Sequence, residues 1–288
     1  MIFYRILDNK LYHVKDVSRL GFEISDGFQI TDEYLDNQKF MIFRTAWGIG
    51  DWGIISAMPR LLKEKYPNCK VYVPSKNLIK NMFGIDTNVV ETIFKNNPHV
   101  DCFKDYILGE VFHDHYRIYD KNNLDVPLVE QILKFWQFDE QEYEDSQPEL
   151  YWTDKEKKFG DAIIKEYVGD GEYGSLLVSD RFGTQRGKYD EETYKNETNK
   201  IQGFLASQQI PIFYYTYKSL NELPFKIKSS FDMRNIDLRI QLYIKSKAKF
   251  NISNQCGTNQ LMARYSDSFE IQRQFPIEHN FVKGETYL

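Results

Sequence analysis

The sequence predicts an α/β protein made of two parallel-sheet domains in tandem, and three observations carry that reading. Short unbroken apolar runs, led by Phe40–Phe43, have the pattern of strands buried on both faces. These runs alternate with helical patterns at the spacing of βα units, which argues for a parallel sheet covered on both sides. The alternation occurs twice, on either side of an acidic break at Asp139–Asp145.

Residues 1–38 precede the first core strand and are read as an extension on the first domain. Within them, Phe3–Leu7 and Leu11–Val14 flank Asp8-Asn9-Lys10, a hairpin pattern. The first domain proper is expected over residues 39–146. It opens with the strand at Phe40–Phe43, a turn built on Gly48 and Gly50, and one helix from Asp51 to Tyr66. Ile54, Ile55, Met58, Leu61 and Leu62 share a face of that helix. Lys70–Val73 reads as a second strand, Lys76–Phe83 as a short helix and Val89–Phe94 as a third strand. Val100–Phe103 and Tyr116–Tyr119 read as further strands. Leu124–Phe138 reads as a helix with Leu128, Val129, Ile132, Leu133 and Trp136 on one side.

Gln147-Pro148 follows the acidic break and marks the boundary of the second domain, residues 147–288. Thr153 with Glu156 three residues on forms a capping box, so a helix starts there. Ser175–Ser179 is a strand ending in the polar loop Asp180–Lys188, and Glu191–Ser207 is a helix. Ile210–Thr216 is an aromatic-rich strand, Asp237–Lys247 a helix capped by Asp237, and Lys249–Ile252 a strand. That strand runs into Ser253–Thr258, with a last helix starting near Asn259.

Composition narrows the function classes. The chain has 288 residues, 42% hydrophobic and 27% charged, enough for a real core in each of two domains. Net charge is −5 with no long Lys/Arg block, which speaks against nucleic acid as a partner. The three cysteines, Cys69, Cys102 and Cys256, are scattered and suit the reduced thiols of a cytoplasmic protein. No apolar run approaches the about 20 residues of a membrane span, and charges come too early for a signal peptide. A modest surface patch would still suffice for peripheral contact with a membrane.

The stretch Lys39–Tyr66 concentrates the chemistry. A strand, a glycine turn and a helix aim backbone N–H groups and a helix N-terminus at a phosphate, and one acid, Asp51, stands at the mouth of the turn. Gly48-Ile49-Gly50-Asp51-Trp52-Gly53 matches G-x-G-x-x-G, the dinucleotide fingerprint. That fingerprint also needs an acid at the end of the second strand for the ribose. Here the strand ends Val73-Pro74-Ser75-Lys76, where Lys76 suits only the phosphate of NADP. An NADP-dependent oxidoreductase is therefore the third-ranked reading. His113-Asp114-His115 has a metal-binding spacing, but no third and fourth ligand accompanies it, so no metal is expected. The bland alternatives are an acid favoured at a helix start for Asp51, solvated loop cations at Arg186 and Lys188, and a small buried residue at Cys256.

The wider pattern from Arg44 to Arg60, with Gly50-Asp51 and then Ala57-Met58-Pro59, resembles the opening of the heptosyltransferase-like glycosyltransferases (family nine, GT-B fold). Further matches follow in order. Asn97-Pro98-His99-Val100-Asp101 is similar to the family's N-P-x-V-D segment, and Gln147-Pro148-Glu149-Leu150 to its inter-domain link. Asp237-Leu238 to Ala263 is similar to its closing helix–strand–loop–helix. The resemblance spans about Lys39 to Ala263. It departs where the family closes on N-D-[ST]-G-x-x-H, because this chain reads Asn254-Gln255-Cys256-Gly257-Thr258-Asn259-Gln260. Glutamine there offers hydrogen bonds without charge.

The resemblance implies two Rossmann-like domains facing each other across a cleft. It also implies inverting transfer of a sugar from a nucleotide-diphosphate donor to a glycan or glycolipid hydroxyl, without metal or cofactor. Asp51 matches the family's general base. Arg181, Arg186, Lys188, Gln255, Cys256, Gly257, Thr258 and Gln260 fall on the donor side, where charge on the leaving diphosphate needs cations and N–H groups. Trp47, Gly48, Gly50 and Trp52 would line the acceptor cleft. A non-catalytic nucleotide-sugar or glycan-binding protein is the alternative reading.

Overall fold

The computed structural model describes residues 4–7, 10–13, 36–37, 39–44, 47–106, 110–114, 126–135, 138, 145–178, 191–215, 223, 225–227, 229–254, 257–271 and 284–288. The chain divides into two compact α/β units, Met1–Tyr151 and Trp152–Leu288.

In the first unit, Tyr4–Leu7 (β1) and Lys10–His13 (β2) form an antiparallel hairpin. The remaining strands are Lys39–Arg44 (β3), Lys70–Pro74 (β4), Cys102–Lys104 (β5) and Glu110–Asp114 (β6). They assemble in the order β1-β2-β6-β3-β4-β5, with every pairing parallel except the hairpin itself. The N-terminal hairpin therefore extends the edge of this sheet through β2 and β6. β3 is buried on both faces. Met41 and Phe43 pack with Leu78 on one side, and on the other Phe40 lies 5.5 Å from the ring of Tyr66.

The helices of this unit depart from the sequence reading in two places. The expected single helix Asp51–Tyr66 is two helices, Ile49–Gly53 (α1) and Met58–Lys65 (α2), separated by turn residues. The break explains Pro59. Inside one long helix it would remove a hydrogen bond, whereas in the first turn of α2 its missing N–H has no intrahelical acceptor to lose. Val89–Phe94, read as a strand, is a helix (α4). Six residues, with apolar pairs on either side of Glu91-Thr92, are too few to distinguish strand from helix by period, and here Val90, Ile93 and Phe94 make a helical face. Lys76–Phe83 (α3) starts at Ser75, whose hydroxyl caps the Leu78 N–H, and Leu128–Phe135 (α5) completes the unit. The strand expected at 116–119 lies outside the described residues. β6 runs just before it, where the sequence reading predicts no element.

The second unit holds Gly174–Leu177 (β7), Ile212–Tyr214 (β8), Ser230–Asp232 (β9), Phe250–Asn254 (β10), Asp267–Ile271 (β11) and Glu285–Tyr287 (β12). All pairings are parallel, in the order β12-β11-β10-β7-β8-β9. Read from β7 outward this is the 3-2-1-4-5-6 order of a doubly wound sheet. Its helices are Asp154–Val168 (α6), Glu191–Ala206 (α7), Leu238–Ser246 (α8) and Gly257–Gln260 (α9). Strand alternation sorts the core into two layers. Leu176, Val178, Ile212, Tyr214, Phe250 and Ile252 face Tyr194 and Ile201 of α7. Leu177, Phe213 and Tyr215 face Ile163, Ile240 and Ile244 of α6 and α8. The two helical caps read from the sequence are present: Thr153 and Glu156 form the capping box, and Asp237 accepts from the Arg239 and Ile240 N–H groups.

Candidate functional site

Both sheets reverse their strand order once, and in open α/β sheets ligands bind outside the carboxyl ends of the strands at that reversal. In the first unit the reversal lies between β3 and β6, whose register ends at the pair Arg44 and Asp114. The chain leaves β3 there and reaches Trp47, Gly48 and α1, so Asp51 belongs to the segment that follows this edge. His113 and Asp114 close the neighbouring strand β6, and His115 lies outside the described residues.

The sequence folds α1 around Asp51. Asp51 is the third residue of the helix, and its Oδ2 reaches back to accept the Gly48 N–H at 2.9 Å. One otherwise orphaned donor at the helix start is thereby satisfied. Arg44, only 4% exposed at the end of β3, donates from Nη1 to the Asp51 carbonyl oxygen. A buried guanidinium therefore fixes the backbone of the residue, while its half-exposed carboxylate keeps Oδ1, to which nothing donates among the described residues. Gly48 has ordinary extended backbone, so a glycine is not needed for φ. It is needed for room, since a Cβ there would come within 2.6 Å of Asp51 Oδ2.

The other three residues expected to line an acceptor cleft separate on burial. Gly50 is buried within α1. Trp52 is 0% exposed and meets Phe94 edge-on at 6.2 Å, so its indole is core packing of this unit and has no surface with which to line a cleft. Trp47 is partly exposed and lies 4.7 Å from the ring of Phe83, which is itself 37% exposed. Phe83 is a neighbour of the glycine turn that the sequence reading missed. It belongs to the end of α3 and is brought there only by packing.

Behind α1 the chain is strapped down by the segment before the unit boundary. Buried Ser56 donates its hydroxyl to the Gly53 carbonyl at 2.6 Å and accepts the Glu149 N–H at 2.7 Å. The Glu149 carboxylate, also buried, takes Arg60 Nε at 2.6 Å and the Tyr151 hydroxyl at 2.8 Å. His99 sits nearby with its ring 6.1 Å from that of Tyr151, and burial lowers its pKa. This cluster holds α1 and α2 in place rather than offering a reactive group.

In the second unit the reversal lies between β7 and β10, paired through Gly174–Leu177 and Phe250–Ser253. The two stretches that carry the expected donor residues leave the carboxyl ends of these neighbours, although they are some 70 residues apart in the chain. β7 is followed by the segment that carries Arg181, Arg186 and Lys188, which lie outside the described residues, as do Gln255 and Cys256 after β10. Gly257 begins α9, two residues earlier than the sequence pattern predicts, and is partly exposed. Thr258 and Gln260 are 9% and 6% exposed, and Asn259 is fully buried. Asn259 donates to the Phe269 carbonyl at 3.1 Å and its own carbonyl accepts from Ser268 at 3.0 Å, which ties α9 to β11.

One buried pair at this edge has no counterpart in the sequence reading. Asn254, the last residue of β10, is 0% exposed and donates from Nδ2 to Glu197 Oε2 at 3.0 Å. Glu197, on α7, is 3% exposed. A signal was present in the sequence. Tyr194, Thr198 and Ile201 define the inward stripe of α7, and Glu197 falls on that stripe, where an unpartnered carboxylate would be costly.

Among the described residues no cluster of three or more His, Cys, Asp or Glu side chains is arranged to hold a metal ion. None of their helices is long and apolar enough to cross a membrane.

No model of a known protein family matches the chain, and no curated protein matches it in sequence. Solved structures do match. A glycosyl transferase of family 9 from Veillonella parvula DSM 2008 is 8% identical. The match covers 88% of this chain and 87% of that one, with a TM-score of 0.57. ADP-heptose LPS heptosyltransferase II of E. coli is 10% identical over 86% of this chain and 92% of that one, with a TM-score of 0.43. The iron-containing dodecameric glycosyltransferase TibC of enterotoxigenic E. coli H10407 is 10% identical over 87% of this chain and 64% of that one, with a TM-score of 0.48. At such identities the likeness to the first of these is one of fold. The chain has a two-domain α/β fold with parallel sheets flanked by helices, consistent with a GT-B architecture.

Proposed function

We propose that this protein is an inverting glycosyltransferase that moves a sugar from a nucleotide-diphosphate donor to a hydroxyl of a glycan or glycolipid. One observation carries the reading. Donor candidates chosen from two distant stretches of sequence follow the carboxyl ends of adjacent strands, β7 and β10, at the reversal of a doubly wound sheet. Asp51 follows the equivalent reversal in the other unit. The fold likeness to a family 9 glycosyl transferase supports the same reaction class.

In this reading the second unit binds the nucleotide, with Lys188, Arg181, Arg186 and the Gly257-Thr258 start of α9 opposing charge on the leaving diphosphate. Asp51 is the general base. Its Oδ1 takes the proton of the acceptor hydroxyl while that oxygen attacks the anomeric carbon. The bond from the anomeric carbon to the diphosphate oxygen breaks, and its electron pair leaves with the diphosphate. The Gly48 N–H on Oδ2 holds the carboxylate in place during that step. No metal or cofactor is assigned a role, and a cytoplasmic location with, at most, peripheral contact with a lipid-linked acceptor fits a cytosolic sugar-nucleotide supply.

The test is Asp51→Asn. Thermal shift with ADP, GDP and UDP identifies the nucleotide by mass action, and a sugar-nucleotide panel on that base then supplies the donor for transfer assays. Transfer should fall by about 100- to 10,000-fold, the range for one acid–base group, while nucleotide affinity stays within about twofold. Wild-type protein that binds no nucleoside diphosphate, or an Asp51→Asn variant with full transfer, would overturn the proposal. Nucleotide binding without transfer or donor hydrolysis would favour the non-catalytic binding protein.

A further inference from the structure

We infer that Glu197 is a positioning residue for the nucleotide site. It holds Asn254, the last residue of β10, three residues before α9 begins at Gly257. The inference rests on the proposed function and goes beyond it, because Glu197 lies on a helix that the donor reading does not otherwise use.

Three observations support it. Glu197 and Asn254 are 3% and 0% exposed and hydrogen-bonded at 3.0 Å. A carboxylate buried this deeply in a layer of Leu176, Val178, Phe250 and Ile252 is expensive to keep, and a fold that only needed packing there would do better with a leucine. The pair also sits at the one place where its geometry reaches the ligand edge. Asn254 is the last β10 residue, and its side chain points to the α7 layer because it shares the parity of Phe250 and Ile252. Finally, the bond joins the two halves of the strand reversal. α7 follows β7 and the segment holding Arg181, Arg186 and Lys188, whereas Asn254 ends β10. This charge-assisted hydrogen bond therefore fixes α7 against the end of the neighbouring strand, beside the strand reversal. Glu197 acts through Asn254, so its effect should fall on nucleotide affinity and not on the chemical step.

The experiment compares wild type, Glu197→Gln, Glu197→Ala, Asn254→Ala and the double alanine variant. The probe is whichever of ADP, GDP and UDP stabilises the wild type. Glu197→Gln keeps an acceptor of the same shape for the Asn254 amide, so its nucleotide affinity should stay within about threefold. Glu197→Ala and Asn254→Ala should each weaken binding by about tenfold or more, from the loss of a hydrogen bond to a charged group. The double variant should lose clearly less than the sum of the two single ones, since both remove the same contact. In turnover, donor KM should rise with kcat within about twofold, the opposite of Asp51→Asn. If Glu197→Ala will not fold, Glu197→Gln against Asn254→Ala carries the comparison. Alanine variants that are less heat-stable but bind nucleotide as wild type does would overturn the inference and leave the proposed function standing. Wild-type protein that binds none of the three nucleotides would overturn both.

Discussion

Gly48 has no side chain because the Asp51 carboxylate occupies the space where one would be. Gly48→Ala puts a methyl group within 2.6 Å of Oδ2, which must swing away and give up the Gly48 N–H. The backbone at 48 tolerates alanine, so the thermal midpoint should barely move, while on the proposed mechanism transfer falls roughly tenfold to 100-fold as the Asp51 carboxylate is misplaced. Paired melting curves and initial rates check this, and a rate equal to wild type would mean that the Oδ2 contact does not set the position of the base. The place of Asp51, in the first turn of a helix that follows a glycine turn and a buried strand, was legible in the sequence. Trp52 was not. Whether an indole beside such a turn points out or in depends on Phe94, more than 40 residues away, and no local pattern records that contact. Glu197 was readable in principle, as a charge on an apolar stripe, but its partner Asn254 could be found only in three dimensions.

Among the elements, the turn between α1 and α2 shows how one buried hydroxyl holds a larger piece of structure. Ser56 bonds both the Gly53 carbonyl and the Glu149 N–H, so Ser56→Ala orphans a buried donor while sparing every apolar contact. A loss of about 1–3 kcal/mol in chemical denaturation is expected, whereas Pro59→Ala, in the first turn of α2, should change stability by less than about 1 kcal/mol. At the start of α6, Glu156 accepts from Thr153 and pairs with Arg239 at 2.6 Å. Burial by itself would raise its pKa, yet the hydrogen bonds from Arg239 and Thr153 outweigh it and bring the value down to about 2. A depressed carboxylate stabilises fully above its ordinary value of 4.5 and loses that contribution as pH falls through about 2. Wild-type stability should therefore decline across that window, and Glu156→Gln should flatten the decline in urea titrations at stepped pH. A slope equal to wild type in the variant would assign the decline to other carboxylates. The caps at Thr153 and Asp237 could be read directly because they are local. Val89–Phe94 could not, since six residues are too few to fix a period. The short strands β9, β11 and β12 carry little pattern of their own and are strands because a parallel neighbour pairs with them.

For the molecule as a whole, two tandem α/β units were legible because alternation of element types is a long-range pattern that survives local errors. What could not be read is how each sheet is wound. The 3-2-1-4-5-6 order, which sets the ends of β7 and β10 side by side, is a property of pairing and not of spacing. The boundary between the units has its own consequence. Tyr151 is fastened into the first unit by its hydroxyl on Glu149. Trp152, the next residue, is fastened into the second by its indole N–H on the Arg239 carbonyl at 3.1 Å, with the Tyr243 and Tyr265 rings about it at 5.5 and 5.4 Å. On the proposed function, a polypeptide of residues 152–288 should melt cooperatively and bind the nucleotide alone. One of residues 153–288 should melt several degrees lower, as calorimetry would show, and equal midpoints would mean that the indole contributes nothing. That peptide bond is a natural suture for chimeras. Grafting there carries each aromatic rivet along with its own half, so the two units become exchangeable cassettes.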